Sequence, residues 1–246
     1  AFAAIDSAGN AVVYGASDGL PRRRFQVATQ ATGVVCMVGG RLVVAGGPAV
    51  AAVYTTLERW NLVRTIGGEK TPPPPEDDPL GPPIDAVLAV AFSPDGSMLA
   101  SGSGRASRSG EIKLWKVSDG SLVRSLAQPH SDTVVALAFS RDGKRLVSGG
   151  TDRFAKIHSV ADGTTQRSFE GHTGHVLAVA WQAHGRRLVT GGADHVVKVW
   201  AVDTGEQQRT IQGPGREVTG VRFLGEGDEI VAAAGDTTIR VFNVAN

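Results

Sequence analysis

Short apolar stretches separated by glycine-rich and charged turns run along most of the chain, and in its second half they recur at a fixed interval. Residues 134–175 read VVALAFSRDGKRLVSGGTDRFAKIHSVADGTTQRSFEGHTGH, and residues 176–217 read VLAVAWQAHGRRLVTGGADHVVKVWAVDTGEQQRTIQGPGRE. Val134 aligns with Val176 and Asp152 with Asp194, 42 positions apart. Each copy contains four apolar or alternating segments, which predicts four strands per repeat.

Similar units lie on both sides of these two copies. The unit that begins at Val87 reads VLAVAFSPDG and then EIKLWKVSDG, and the unit that begins at Val218 reads VTGVRFLGEG and then TIRVFNV. A weaker unit at 34–67 contains predicted strands at 34–38, 42–45, 50–54 and 62–66. A period near 42 residues with four short strands per unit is typical of a propeller blade. The sequence therefore predicts an all-β propeller of four-stranded antiparallel blades.

The two ends of the chain contain incomplete units. Matching Tyr14-x-x-Ser-Asp-Gly to Trp115-x-x-Ser-Asp-Gly makes the first two apolar runs the second and third strands of a blade. Matching residues 4–9 to AFSPDG would make them the first and second strands instead. The spacing from Tyr14 to Val34 resembles that from Trp200 to Val218, which favours the first match. We therefore expect the first blade to lack its inner strand, and the last to lack its outer strand.

The repeats predict one propeller domain over residues 1–246, with a proline-rich inserted loop at 68–86. The expected blades are 1–27, 34–67, 87–128, 134–170, 176–212 and 218–246. Either six blades nearly close the ring, or a seventh comes from outside this segment or from another chain. We favour the seven-bladed ring.

Composition excludes several classes of function. With 25 basic and 24 acidic residues, the chain has no net field that would attract nucleic acid. Cys36 is the single cysteine, so an internal disulfide framework or a cysteine-based metal cage is not expected. No apolar run is long enough to span a bilayer, and no targeting segment is evident. The compartment stays open between bacterial cytoplasm and periplasm.

The unit at 176–212 resembles the WD40 family. It has His172 in a Gly-His pair, followed by Thr190, Asp194 and Trp200 at the positions of that family's structural tetrad. The resemblance implies that these four side chains form one buried hydrogen-bond chain. It covers essentially the whole chain and is strongest over residues 87–244.

Other units depart from the family pattern. The unit at 134–170 has His130, Ser148 and Asp152, but His158 stands where tryptophan is usual. No Trp-Asp dipeptide occurs in the chain. The sequence of residues 130–240 is most similar to those of WD40 propellers in large bacterial, planctomycete-like proteins. This resemblance implies a non-catalytic interaction module or a structural subdomain of a larger bacterial redox or surface assembly.

Two constellations could carry chemistry instead. Thr190, His172 and Asp194 could act as nucleophile, base and orienting group. His172, His175 and His195 could bind zinc, although histidines without a placed carboxylate or cysteine are weak evidence. The family spacing explains these residues without a reaction, so we expect no enzyme activity, no metal and no cofactor. A ligand-binding or enzymatic site at the central channel is the remaining alternative.

The long connections favour one face of the propeller as a binding surface. The insertions at 67–85 and 103–110 lie in outer-to-inner and second-to-third connections, which emerge on the same face. We expect a protein partner there, with no nucleic acid and no membrane insertion; other domains or another chain could complete the ring. The candidate contacts are Glu76, Asp77, Asp78, Arg105, Arg108, Arg153, His195, Arg216 and Glu217.

Overall fold

The computed structural model describes the backbone of the strands between Phe2 and Gly67, and it describes residues 86–245 together with their side chains, those of residues 127 and 128 excepted. These residues form antiparallel sheets in which each strand pairs with the next along the chain, and they contain no helix. We number the sheets one to six in chain order. Of the four sheets between residues 86 and 245, three contain four strands and the last contains three.

The first two sheets are described by their strands alone. Sheet one contains β1 (Phe2–Ile5), β2 (Asn10–Tyr14) and β3 (Pro21–Gln26). Sheet two contains β4 (Ala31–Cys36), β5 (Arg41–Gly46), β6 (Val50–Thr55) and β7 (Leu62–Gly67). Sheet two therefore begins at Ala31, three residues before the predicted start. The proline-rich insertion at 68–85 lies outside the described residues.

The remaining sheets follow the predicted repeat. Sheet three contains β8 (Ala89–Phe92), β9 (Met98–Arg105), β10 (Ser109–Lys116) and β11 (Leu122–His130). Sheet four contains β12 (Val134–Phe139), β13 (Arg145–Gly150), β14 (Ala155–Ser159) and β15 (Thr165–Phe169). Sheet five contains β16 (Val176–Trp181), β17 (Arg187–Gly192), β18 (Val197–Ala201) and β19 (Gln207–Ile211). Sheet six contains β20 (Val218–Phe223), β21 (Glu229–Ala234) and β22 (Ile239–Asn243).

Consecutive sheets pack face to face through their first strands. Strand β4 contacts β8, β8 contacts β12, β12 contacts β16, and β16 contacts β20. The second strands β9, β13 and β17 each contact the first strand of the following sheet. Strand β1 contacts β4 in the same way, as expected if sheet one begins with a second strand. The first strand of each later sheet is therefore the inner strand of a blade.

Apolar side chains fill the space between neighbouring sheets. Between sheets four and five, Val147, Ile157 and Phe169 pack against Leu188 and Trp200, and all five are at most 2% exposed. Complete burial of one such side chain contributes about 1.5–3 kcal/mol to stability. The alternating burial along β10 and the nearly continuous burial along β13 and β17 follow from this packing.

The insertion at 103–110 was expected to belong to the connection between the second and third strands, but most of it is part of the strands themselves. Strands β9 and β10 continue through it, with Ser103 opposite Glu111 and Arg105 opposite Ser109. Gly104 and Gly110 make these longer strands possible, because a side chain at either position would collide with neighbouring backbone atoms. A Cβ at Gly104 would lie 2.3 Å from the Ser109 carbonyl oxygen, and Gly104 has φ of 156°. The insertion is thus a longer hairpin whose paired backbone groups satisfy one another.

Arginine side chains link the outer strand of one sheet to the turn before the outer strand of the next. Arg124 Nη2 donates to the Ala161 carbonyl oxygen at 2.8 Å. Arg167 Nη2 donates to the Asp203 carbonyl oxygen at 2.8 Å, and its Nη1 donates to that of Thr204. These contacts tie sheet three to four and sheet four to five, in addition to the apolar packing.

Candidate functional site

Sheet five contains a buried hydrogen-bond chain of four side chains. Trp200 Nε1 donates to Thr190 Oγ1 at 2.9 Å, and Thr190 Oγ1 lies 2.7 Å from His172 Nε2. His172 Nδ1 lies 2.9 Å from the Asp194 carboxylate. The threonine hydroxyl has one proton, so it accepts from Trp200 and donates to His172, which in turn donates from Nδ1 to Asp194. Each polar atom of this chain has a partner.

The hydrogen-bond chain of sheet five forms because four elements of the structure meet at one point. Thr190 belongs to β17 and Trp200 to β18, where Leu188 and Trp200 are cross-strand neighbours. His172 lies in the connection before β16, and Asp194 lies in the turn between β17 and β18. Asp194 also accepts the backbone N–H of Thr173 at 2.9 Å. The carboxylate therefore joins the second-to-third turn to the preceding connection.

Sheet four contains the corresponding chain, with a histidine in the tryptophan position. His130 Nδ1 lies 2.9 Å from Asp152 Oδ1, and His130 Nε2 lies 2.7 Å from Ser148 Oγ. Ser148 Oγ lies 2.8 Å from His158 Nε2, and His158 Nδ1 lies 3.1 Å from Thr165 Oγ1. One proton arrangement satisfies all of these contacts. Thr165 donates to His158, His158 Nε2 to Ser148, Ser148 to His130, and His130 Nδ1 to Asp152.

Burial lowers the pKa of two of the tetrad histidines, His158 and His172. Desolvation lowers the pKa of His158 to about 3, and repulsion from His130 and Lys156 acts in the same direction. Desolvation also lowers the pKa of His172, against the opposing attraction of Asp194. Burial alone would raise the pKa of Asp152, but the hydrogen bond and charge of His130 and two backbone N–H donors lower it overall. The Asp152 carboxylate therefore stays ionised at neutral pH.

The other two described sheets have shorter versions of the chain. In sheet three, Trp115 Nε1 donates to Ser101 Oγ at 2.8 Å. In sheet six, Asp236 pairs with Arg240 Nη2 at 2.9 Å and accepts the Gly215 backbone N–H at 2.7 Å. The pKa of Asp236 is lowered first by its hydrogen bonds with Arg240 and Thr238. An arginine thus replaces the histidine as the partner of the carboxylate.

These chains are too deeply buried to work on a substrate. Thr190 and Ser148 are 0% exposed, so neither hydroxyl can reach an external carbonyl or phosphoryl group. His175 and His195 do not join His172 in a metal site: no group of three or more His, Cys, Asp or Glu residues in the described part of the chain could hold a metal ion. The geometry of these residues therefore favours a structural role for the tetrads.

The two faces of the described blades differ in how their turns are made. On one face, the first-to-second and third-to-outer turns have glycine in the left-handed region, at Gly96, Gly120, Gly143, Gly163, Gly185, Gly205 and Gly225. On the opposite face, the second-to-third turns have side-chain-bearing residues in that region: Ser107, Arg153, His195 and Thr237. We call this opposite face the loop-rich face. All four side-chain-bearing residues are exposed.

Backbone hydrogen bonds join the second-to-third turns of the loop-rich face to the neighbouring outer-to-inner connections. Thr151 N donates to the Thr133 carbonyl oxygen at 2.9 Å, and Ala193 N donates to that of His175 at 2.8 Å. Sheet six repeats the contact, since Gly235 N donates to the Glu217 carbonyl oxygen at 2.9 Å. In each sheet, these hydrogen bonds hold the second-to-third turn and the neighbouring outer-to-inner connection together, so the two loops form one continuous surface.

The long hairpin of sheet three is tied to the next sheet on the same face. Ser107 N donates to Asp132 Oδ1 at 2.8 Å, and Asp132 belongs to the connection that leads into β12. The pKa of Asp132 is lowered overall, because the N–H donors of Thr133 and Ser107 outweigh the effect of desolvation. The hairpin tip, which carries Arg105 and Arg108, is therefore held against the connection beside the Arg153 turn.

Besides Arg105 and Arg108 of the hairpin, the candidate partner-binding residues fall into three groups. Arg153 and His195 occupy the tips of the second-to-third turns of sheets four and five. Arg216 and Glu217 lie in the connection before β20, where Arg216 Nε is 3.6 Å from Glu217 Oε2. Glu76, Asp77 and Asp78 lie outside the described residues. The structure brings the first two groups and the hairpin arginines to the loop-rich face.

The inner strands also border a channel. A cavity of about 640 Å³ is lined mainly by apolar residues of β8, β12, β16 and β20 and by Val231, Ala233 and Ile239 of sheet six, and its polar lining residues are Thr219 and Arg222. Two acidic residues just before the inner strands are engaged elsewhere: Asp132 accepts the backbone N–H of Ser107, and Glu217 pairs with Arg216. Within the described residues, the channel therefore lacks the cluster of polar groups that a small-molecule site requires.

The succession of sheets, the tetrads and the loop arrangement together define a β-propeller repeat protein. The family model for the WD domain, G-beta repeat, matches residues 83–116, 120–159, 163–201 and 205–243. These matches cover more than half of the chain, which therefore belongs to the WD40 family. No curated protein is similar enough to the chain to count as a match. Within the described residues, no helix is long and apolar enough to cross a membrane.

Sequence reasoning missed two features of the surface. The arginines at 124, 167 and 209 recur at nearly the repeat interval, and that regularity could have indicated a common role in the outer strands. The left-handed conformation of Arg153 and His195 has only an indirect signal, namely that both follow the tetrad aspartate directly. On the other face, four of the seven turn glycines were visible in the sequence as Asp-Gly pairs: Gly96, Gly120, Gly143 and Gly163.

Proposed function

We propose that the loop-rich face binds a protein partner and that the chain acts as a non-catalytic interaction scaffold. WD40 repeat proteins are in general scaffolds for protein interactions and are typically non-enzymatic. The observation that supports this proposal most directly is the contrast between the turns of the two faces. Glycine occupies the left-handed positions of the first-to-second and third-to-outer turns, and arginine, histidine, threonine and serine occupy those of the second-to-third turns.

This contrast has an energetic meaning. A residue with a Cβ in the left-handed region costs about 1–3 kcal/mol, and glycine would remove most of that strain. Arg153 (φ 74°) and His195 (φ 66°) make no side-chain contact within the chain that would repay this cost among the hydrogen bonds and ion pairs of the described residues. Retaining exposed side chains at strained tips is consistent with contacts to another molecule.

The chemistry of the face favours a partner with acidic and hydrogen-bonding groups. Arg105, Arg108, Arg153 and Arg216 contribute guanidinium groups, which bind carboxylates bidentately. The face also carries Glu217, and Glu76, Asp77 and Asp78 would add acidic groups if the insertion lies beside it. A mixed surface of this kind is typical of protein–protein contacts rather than of nucleic-acid binding.

A crosslinking experiment with one probe on each face tests this proposal. A photo-reactive amino acid replaces His195 on the loop-rich face, and in a matched variant it replaces Ala161, an exposed residue of a third-to-outer turn. We expect a discrete crosslinked protein from the probe at 195 and none from the probe at 161. Crosslinks from the probe at 161 alone would show that the opposite face binds the partner, and the proposal would be wrong.

A further inference from the structure

The hairpin of sheet three projects further beyond the loop-rich face than the corresponding turn of sheet four. Ile112 pairs with Gly102 in sheet three as Ala155 pairs with Gly149 in sheet four. Beyond this level the hairpin of sheet three continues for three more pairs, Ser103 with Glu111, Gly104 with Gly110, and Arg105 with Ser109. Each pair adds about 3.3 Å to the length of a strand. The hairpin tip therefore forms a wall beside the shorter turn of sheet four.

The connection that leads into β12 lies between this wall and the turn of sheet four. On one side of the connection, Ser107 N donates to Asp132 Oδ1 at 2.8 Å. On the other side, Thr151 N donates to the Thr133 carbonyl oxygen at 2.9 Å. These three segments form what we call the basic groove, with residues 131–133 as its floor and residues 105–108 and 151–153 as its two walls.

Arginines belong to both walls of the basic groove. Arg105 and Arg108 lie in the hairpin tip and Arg153 lies in the turn of sheet four, and Arg108 and Arg153 are exposed. The backbone of each wall is a hydrogen-bonded neighbour of the floor, so the walls are about 10 Å apart, twice the spacing of neighbouring strands. Guanidinium groups bind carboxylates through two parallel hydrogen bonds. The groove is therefore suited to a segment that carries more than one carboxylate.

The acidic groups of the basic groove are engaged with other partners. Asp132 accepts two backbone N–H groups, and Asp152 binds the buried histidine of the sheet-four tetrad. Among the ion pairs of the described residues, none joins Arg153 to either carboxylate. In the connection before β20, by contrast, Arg216 pairs with Glu217 at 3.6 Å. Carboxylates of a partner are therefore attracted to the basic groove more strongly than to that connection.

We propose that the basic groove binds an extended acidic segment of the protein partner, with one carboxylate at each wall. This proposal rests on the function proposed above, and it specifies where on the loop-rich face the partner binds and by what chemistry. Residues two to four positions apart in an extended segment are separated by about 7–13 Å. This range includes the distance between the walls, so the segment has acidic residues at that spacing and crosses from sheet three to sheet four.

An acidic peptide tests the proposal with the whole chain. The probe is a fluorescein-labelled peptide of sequence GESESESG, and its control is GQSQSQSG, which has nearly the same shape without the charges. We expect saturable binding of the acidic peptide alone, measured by fluorescence anisotropy. Arg108→Glu and Arg153→Glu should each weaken this binding by about tenfold or more. Arg186→Glu makes the same change of charge at an exposed arginine of the opposite face and should leave the binding unchanged.

Absence of saturable binding overturns the proposal, as does a loss of binding in Arg186→Glu as large as that in Arg153→Glu. Binding that develops only after Glu76, Asp77 and Asp78 are changed to their amides overturns it as well, since the chain's own acidic segment would then be the occupant. The photo-reactive residue at 195 separates this proposal from the proposed function. Capture of the partner that Arg153→Glu leaves undiminished would refute the acidic segment alone, whereas capture only from the residue at 161 would refute the proposed function.

Discussion

Replacing Thr190 with valine removes one hydroxyl from the centre of the sheet-five tetrad and changes little else. Valine has nearly the same shape, and Thr190 is 0% exposed, so no water can take the place of the hydroxyl. The change leaves two buried groups without partners, the Trp200 indole N–H and His172 Nε2. Each stranded group costs about 1–3 kcal/mol, so the expected loss in the free energy of unfolding is about 2–4 kcal/mol.

Urea denaturation followed by tryptophan fluorescence measures this loss, and for a chain of this size it corresponds to a fall in Tm of roughly 5–15 °C. Thr219→Val is the matched control, because Thr219 is exposed on the inner strand β20 and makes no side-chain hydrogen bond among those of the described residues. We expect the control to stay within about 0.5 kcal/mol of the original chain. If Thr190→Val lost no more stability than Thr219→Val, the hydrogen-bond chain would not stabilise the blade as described.

Three further predictions follow from the packing of the sheets. His158→Trp removes an imidazole whose pKa is lowered to about 3 in the folded chain. Because folding favours the neutral imidazole, the original chain loses stability as the pH falls below about 6.5. Between pH 6 and 4, urea titrations should show that the variant loses about 1.4 kcal/mol less stability per pH unit than the original chain. Arg167→Ala removes the two hydrogen bonds to the turn of sheet five and should lower the free energy of unfolding by about 0.5–1.5 kcal/mol. Arg209→Ala should lower it less, because Arg209 occupies the equivalent position but makes no such hydrogen bonds among those of the described residues. Equal losses would contradict the linking role of Arg167. Gly191→Ala places a Cβ 2.5 Å from Val218 Cγ1. In thermal unfolding it should destabilise the chain by about 1–3 kcal/mol. An unchanged stability would show that sheets five and six separate easily.

The repeat period and strand pattern were sufficient to predict the fold. Inner strands such as β16 are apolar at every position and third strands such as β10 alternate, so their burial could be expected from the residues alone. The order of strands in sheet six, which ends with its third strand, also agrees with the prediction. Comparing the repeats predicted the strands well because the equivalent strands of every blade are packed in the same way.

The details that depend on distance between repeats could not be predicted. The insertion at 103–110 contains three serines, two glycines and two arginines, a composition that indicated a loop. Its strands continue because Gly104 and Gly110 allow close approach to the connection at 132–133. The reach of Arg124 and Arg167 to the next sheet depends on the angle between sheets, which no local pattern contains. Contacts of the loop-rich face with a partner stay a prediction.

The double variant Arg153→Gly, His195→Gly tests the central claim most directly. Both residues occupy the left-handed region, so glycine should raise the free energy of unfolding by about 0.5–1 kcal/mol per position while it removes the side chains that we propose contact the partner. Capture of the partner by a photo-reactive residue at Arg108, measured beside the urea unfolding curve, should be lost in this more stable protein. Undiminished capture together with higher stability would contradict a binding role for these side chains.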